Sequence, residues 1–144
     1  MKEQTVEDRQ SAWFQFRTSL VDSKDPLSAI AKFWSNTPLI PFNNHVDPYN
    51  FRSWPTPWQI IDENRYDDLT LAIMIGYTIK LTDQFKDSTI EIRTMVDSTR
   101  TRLYNLVYVD NLYVLNYNSE CVVASQDIPE SFLLENLVEL SRPR

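Results

Sequence analysis

The stretch Asp68-Leu69-Thr70-Leu71-Ala72-Ile73-Met74-Ile75-Gly76-Tyr77-Thr78-Ile79-Lys80-Leu81 constrains the fold of this chain more than any other. Its apolar residues occupy nearly every side of a helix about 21 Å long at 1.5 Å per residue, so that helix has to be buried inside a domain. Asp67 and Asp68 stand in its first turn, at the positive end of the helix dipole. The chain's single glycine, Gly76, falls in the interior of this helix. There it costs about 1 kcal/mol relative to alanine, which predicts a strand or second helix crossing close by.

The preceding residues read as helical. Thr5 to Val21 places Val6, Trp13, Leu20 and Val21 near one face, and leaves Phe14 or Phe16 as an exposed aromatic. Asp25-Pro26 is a helix start, with Asp as N-cap and Pro at the first helical position. Leu27, Ile30, Ala31 and Trp34 then follow at helical spacing, and Pro38 stops the helix by Asn36-Thr37. From Pro38 to Pro57 the chain carries five prolines together with Phe42, Tyr49, Phe51 and Trp54. Such a segment is an ordered loop that wraps the core. Thr56-Pro57-Trp58-Gln59 forms a capping box and opens a short helix.

After Asp87-Ser88 the period changes to two. Ile90, Ile92, Thr94 and Val96 alternate with Glu91, Arg93 and Met95 in a first strand. Leu103–Val109 is a second, and Asp110-Asn111 a tight hairpin turn suited to positive φ. Leu112–Tyr117 is a third strand, Cys121–Ala124 a short fourth, and Asp127-Ile128-Pro129 opens a closing helix through Phe132, Leu133, Leu137 and Leu140. The prediction is an α+β fold: N-terminal helices and a central buried helix packed on a 3–4-stranded antiparallel meander, with a closing C-terminal helix. All 144 residues form one domain. It comprises a helical hairpin (5–37), a Pro/aromatic loop (38–57) and a helix–meander–helix core (58–140), with loose chain in Ser141-Arg142-Pro143-Arg144. The tyrosines Tyr104, Tyr108, Tyr113 and Tyr117 occupy the meander face opposite Val107 and Val114, either packed under the N-terminal helices or forming a contact patch.

Composition narrows the function classes. Fourteen Lys and Arg against twenty Asp and Glu give a net charge of −6, which disfavours nucleic acid and membrane surfaces as partners. The polar Met1-Lys2-Glu3 start and an uncharged run limited to Leu69–Ile79 predict neither a signal peptide nor a membrane span. One cysteine, Cys121, and no glycosylation sequon fit a reducing, cytoplasmic location. With one His and one Cys no zinc site is expected, and one glycine excludes a phosphate-cradling loop. No metal and no cofactor are expected.

The order of elements around the central helix resembles the transglutaminase-like branch of the papain-like cysteine hydrolases. Trp54-Pro55-Thr56-Pro57-Trp58 looks like that family's entry loop, Arg65-Tyr66-Asp67-Asp68 like its nucleophile motif, and Val114-Leu115-Asn116-Tyr117-Asn118 like the strand ending that carries its Asp. The resemblance implies a Cys opening the buried helix, a His on a strand and an Asp closing the next strand. Laid on this sequence it puts Tyr66, beside Asp67, at the nucleophile, places the His position around Leu103 to Asn105 (with Tyr104 between), and sets Asn116 at the Asp position. None of these can form the triad.

The resemblance and the missing chemistry together imply a pseudoenzyme, a non-catalytic module that binds a protein partner or a second copy of itself. A tailed-phage accessory or assembly protein is the expected setting, in the host-cell cytoplasm or the virion. The expected contact residues are Trp54, Trp58 and Tyr66 around the opening of the central helix, with Phe14 or Phe16 as a second patch. The competing expectation is a cysteine-dependent hydrolase using Cys121, with His45 as the available imidazole and the thiol set in a short apolar strand.

Overall fold

The structure is a computed structural model and describes residues 4–143; Met1–Glu3 and Arg144, both expected in polar or loose ends, lie outside the described residues. Helix α1 (Val6–Ser19) continues into a 3-10 turn at Leu20–Asp22, and α2 spans Pro26–Trp34. Helix α3 (Pro57–Glu63) and the central helix α4 (Asp68–Lys80) follow the proline-rich loop. The strands are β1 (Ile90–Val96), β2 (Leu103–Val109), β3 (Tyr113–Leu115), β4 (Val123–Ala124) and β5 (Leu133–Glu139). They form one antiparallel sheet in the order β4-β3-β2-β1-β5.

The caps expected at Asp25 and Thr56 form, and caps at Thr5 and Asp67 join them. Thr5 closes a capping box with Asp8, Thr56 another with Gln59, and Asp25 and Asp67 accept backbone N–H groups at the starts of α2 and α4. Asp110 and Asn111 both take positive φ, 52° and 57°, and so make the tight β2–β3 turn.

Helix α4 is the centre of the domain, with all its residues from Leu69 to Ile79 except Tyr77 buried. The inward residues of the sheet, Ile90, Ile92, Val107, Val109 and Leu115, share one core with it. A Cβ on Gly76 would stand 2.6 Å from Leu140 Cδ1 and 3.2 Å from Ile92 Cδ1. The neighbours of Gly76 are thus Leu140, just past β5, and Ile92 and Ile90 of β1, and the sheet approaches it through side chains rather than backbone. Helix α1 packs chiefly on α3 and α2 on α4, while the stacked rings of Phe16 and Phe33, 4.1 Å apart, link the pair that the sequence suggested as a hairpin.

One oxygen ties both N-terminal helices to the centre. Thr78 Oγ1 accepts the indole N–H of Trp13 at 3.1 Å and of Trp34 at 3.2 Å, and donates to Met74 O at 2.6 Å. Three helices thus meet on a single buried hydroxyl. The proline-rich loop is fastened in turn: Ile40 N donates to Tyr66 O, Trp54 Nε1 to Asp47 O, and Asn136 Nδ2 to Pro48 O.

The expected closing helix is instead the strand β5. Leu133, Leu137 and Leu140 have helical spacing, but β1 would otherwise expose its hydrogen-bonding edge, and pairing outweighs local propensity. A bulge hides the strand pattern: the register shifts between Thr94 and Met95, so Glu135 is an extra residue and the leucines do not alternate. The ladder continues past the strand, Leu140 N donating to Ile90 O.

The tyrosine face is also covered differently from expectation. Tyr104, Tyr108 and Tyr117 lie on the outer face of the sheet with Leu106 and Val114, and the connection from β4 to β5 crosses them through Ile128 and Phe132. The N-terminal helices are on the opposite side with α4. Tyr113 instead shares the inner parity, opposite Val109, at an exposed margin.

Candidate functional site

Where α4 begins, the backbone turns so that two consecutive carboxylates point to different partners. Asp67 is the N-cap and is 8% exposed. One oxygen accepts Thr70 N at 2.8 Å and Thr70 Oγ1 at 2.6 Å, and the other accepts Asn43 N at 3.0 Å. Asp67 thus fixes the helix start and the proline-rich loop together. Replacing Asp67 by Asn puts an amide donor against one of those donors, so Asp67→Asn is expected to lower unfolding free energy by about 2 kcal/mol. Urea denaturation measures this directly.

Asp68, the first residue of the helix, faces the sheet. Its carboxylate accepts Asn105 Nδ2 at 2.9 Å, Asn105 N at 3.3 Å and Asn116 Nδ2 at 3.2 Å. Asn105 is buried in β2; its side-chain oxygen accepts Thr94 Oγ1 at 2.8 Å, and its backbone oxygen accepts Asn116 Nδ2 at 2.8 Å. Asn116 follows the last residue of β3 and takes a φ of 67°, a left-handed conformation that Asn adopts more readily than most side chains. Helix, β2 and the end of β3 are locked by hydrogen bonds from the Asn105 and Asn116 side chains to Asp68 and from Asn116 to the Asn105 backbone oxygen.

This cluster opens into a cleft of about 190 Å3 between the end of α2, α4 and the turn after β3. Trp34, Leu39 and Leu71 supply apolar wall, Asp68 and Asn116 polar floor, and Arg102 and Glu120 opposite charges at the rim. The Arg102 guanidinium lies 4.6 Å from the centre of the Tyr104 ring.

The other residues singled out by sequence are dispersed. Tyr66 is only 4% exposed and packs 5.7 Å from Trp34, so it is not the surface residue expected at the helix opening. The residue that the structure brings to Asn105 and Asn116 is Asp68. The spacing of the motif concealed this, because the N-cap geometry that makes Asp68 the first helical residue is a two-residue matter. Tyr104 points to the outer face, away from Asn105. Trp54 and Trp58 are half-buried against the core, Trp58 edge-on to Trp13 at 6.1 Å. Phe14 is 61% exposed, whereas Phe16 is stacked on Phe33.

Cys121 is exposed in the turn before β4, not buried in a strand. Strand β4 begins only at Val123, because the hydrogen bond from Cys121 N to Asn118 O holds the chain in the turn. The His45 imidazole is engaged elsewhere, its Nδ1 2.8 Å from Glu63 Oε1.

Among the described residues no group of three or more His, Cys, Asp or Glu side chains is placed to hold a metal ion. Nor is any described helix long and apolar enough to cross a membrane.

No protein-family model and no curated protein matches the sequence. Among solved structures the fold is similar to that of Legionella pneumophila LapG (calcium-bound), with a TM-score of 0.70 at 16% identity over 95% of this chain and 77% of that one. The calcium belongs to that protein. What the two chains share is the transglutaminase-like fold.

Proposed function

We propose that this chain is a non-catalytic protein-binding module, in the setting of a phage-encoded accessory or assembly protein, and that its cleft at the start of α4 receives a partner segment without cutting it. The observation that carries this reading is the contact of Asp68 with Asn105 and Asn116. In the resembled hydrolases a Cys opens the buried helix, a His lies on a strand and an Asp closes the next. Here the residues at those topological places are a carboxylate and two amides. An amide neither takes a proton from a nucleophile nor returns one to a leaving group. The carboxylate is spent on three N–H donors.

The walls of the cleft combine apolar surface with a few fixed polar groups, the composition of a recognition site. Ser119 lies in an exposed turn at its rim, so Ser119→Trp narrows the cleft without disturbing the core. A photo-crosslinker at Leu39 is expected to capture a protein from the native cell, and Ser119→Trp to abolish that capture. Peptide or ester hydrolysis by the wild type that disappears in Asp68→Ala would refute the reading. Activity that disappears on alkylation of Cys121 would favour the hydrolase alternative instead.

A further inference from the structure

The two margins of the sheet are unlike. At one, β4 is only two residues long, Val123–Ala124, and so short an edge offers little to pair with. At the other, β5 runs for seven residues, Leu133–Glu139, with no strand beyond it. Leu133, Leu134 and Leu137 on this strand are 46%, 53% and 41% exposed.

The hydrogen-bond phase of β5 fixes which of its backbone groups are free. Leu140 N donates to Ile90 O at 2.8 Å, and the register sets these two residues opposite one another. Bonded and non-bonded pairs alternate in an antiparallel ladder, so Val138 bonds Ile92 and Asn136 bonds Thr94. Leu137 and Glu139, opposite Arg93 and Glu91, therefore aim their N–H and C=O groups away from β1. Among the described residues neither N–H reaches another acceptor.

Charge decides what this edge accepts. Glu135 and Glu139 are exposed, and among the described residues no cation lies within 4 Å of either carboxylate, although Arg52 and Arg142 line a hollow of about 320 Å3 beside Glu139. Two copies of this chain joined edge to edge about Leu137 would bring Glu135 of each beside Glu139 of the other. Like charges facing each other across strands destabilise a pairing, and opposite charges stabilise it. The edge thus disfavours its own copy and suits a strand that carries Lys or Arg on either side of an apolar residue.

We infer that the β5 edge is a docking site for an extended segment of another protein, added to the sheet as a further strand, with an apolar residue opposite Leu137 and basic residues opposite Glu135 and Glu139. Main-chain bonds to Leu137 and Glu139 hold the segment. Its side chains meet Leu134 and Leu137 on the outer face of the sheet, and Phe51 and Val138 at the hollow on the inner face. The site lies at the opposite margin from the Asp68 cleft, which abuts the turn after β3, and the inference does not depend on the function proposed for that cleft.

The probe is a fluorescently labelled, amidated heptapeptide, Thr-Lys-Thr-Val-Thr-Lys-Thr, whose sequence reads the same in both directions. Binding is read by fluorescence anisotropy and by amide hydrogen exchange. The peptide is expected to bind saturably and to slow exchange at the Leu137 and Glu139 amides by about tenfold or more. Replacing both of its lysines by glutamate is expected to weaken binding about tenfold. N-methylation of its valine, which removes a donor and blocks the approach of the strands, is expected to abolish binding. Leu137→Pro removes a free N–H without taking a bond from β1, a change that edge strands tolerate, and is expected to abolish binding while circular dichroism stays unchanged. The peptide comparisons use the wild type alone, so they hold even if Leu137→Pro misfolds. Absence of saturable binding, or equal binding of the N-methylated peptide, would overturn the inference. A wild type that sediments as a dimer and is made monomeric by Leu137→Pro would overturn it too, since the occupant would then be a second copy.

Discussion

Replacing Thr78 by Val is expected to lower the unfolding free energy by about 3–5 kcal/mol, the summed cost of two buried donors left without acceptors. The change is nearly isosteric, so it opens no cavity. Its effect lies in Trp13 and Trp34, whose indole N–H groups both end on Thr78 Oγ1 and whose rings are almost wholly buried. Neither indole can turn to water without vacating the core, so the loss is uncompensated. Thr78→Ser keeps the oxygen and gives up one methyl, which costs about 1 kcal/mol. Urea denaturation of the two variants separates the explanations. A valine variant several kcal/mol below the serine variant, with a melting temperature lower by about 10 °C, is the outcome this geometry requires. Equal stability of the two would mean that Thr78 is only a packing residue.

The helix that carries Thr78 was legible because its signal is local. A buried helix needs apolar residues all round, and the stretch from Asp68 to Leu81 has them. Thr56 and Asp25 likewise advertise caps by residue type and position alone. Strands β1 and β2 were legible for the same reason: Ile90, Ile92, Thr94 and Val96 alternate, and Asp110-Asn111 tolerates the positive φ of the turn.

What could not be read locally was decided by partners distant in sequence. Strand β5 owes its conformation to the open edge of β1, about forty residues earlier, and the bulge at Glu135 erases the alternation that would have marked it. The outer face of the sheet is covered by Ile128 and Phe132 rather than by a helix, which depends on the path of a connection with no periodic signal.

The site shows the same division. Asn105 and Asn116 were singled out through the resemblance of the strand endings, and the structure places both against one carboxylate. Asp68, which carries it, was not. A two-residue shift separates Tyr66, which is buried against Trp34, from Asp68, which faces β2 and β3. That shift follows from Asp67 acting as N-cap, with its carboxylate bound to Thr70 and to Asn43 of the loop. Cap geometry decides which of several adjacent side chains points at the sheet, and it depends on tertiary bonds to that loop.

If Asp68, Asn105 and Asn116 occupy the places of a nucleophile, base and orienting acid, the site can be rebuilt. The test starts from Cys121→Ser, which removes the native thiol, and compares Asp68→Cys alone with Asp68→Cys, Asn105→His, Asn116→Asp. A thiol at the start of α4 feels the helix dipole in both variants, so the difference isolates the imidazole and the carboxylate that orients it. Lowering the thiol pKa from about 8.5 to about 6 raises the thiolate fraction at pH 6 by about a hundredfold, and the weaker nucleophilicity of the more acidic thiol reduces the gain to about tenfold. The triple substitution is expected to react with iodoacetamide at pH 6 about ten times faster than Asp68→Cys alone. Equal rates in two folded proteins would contradict that placement.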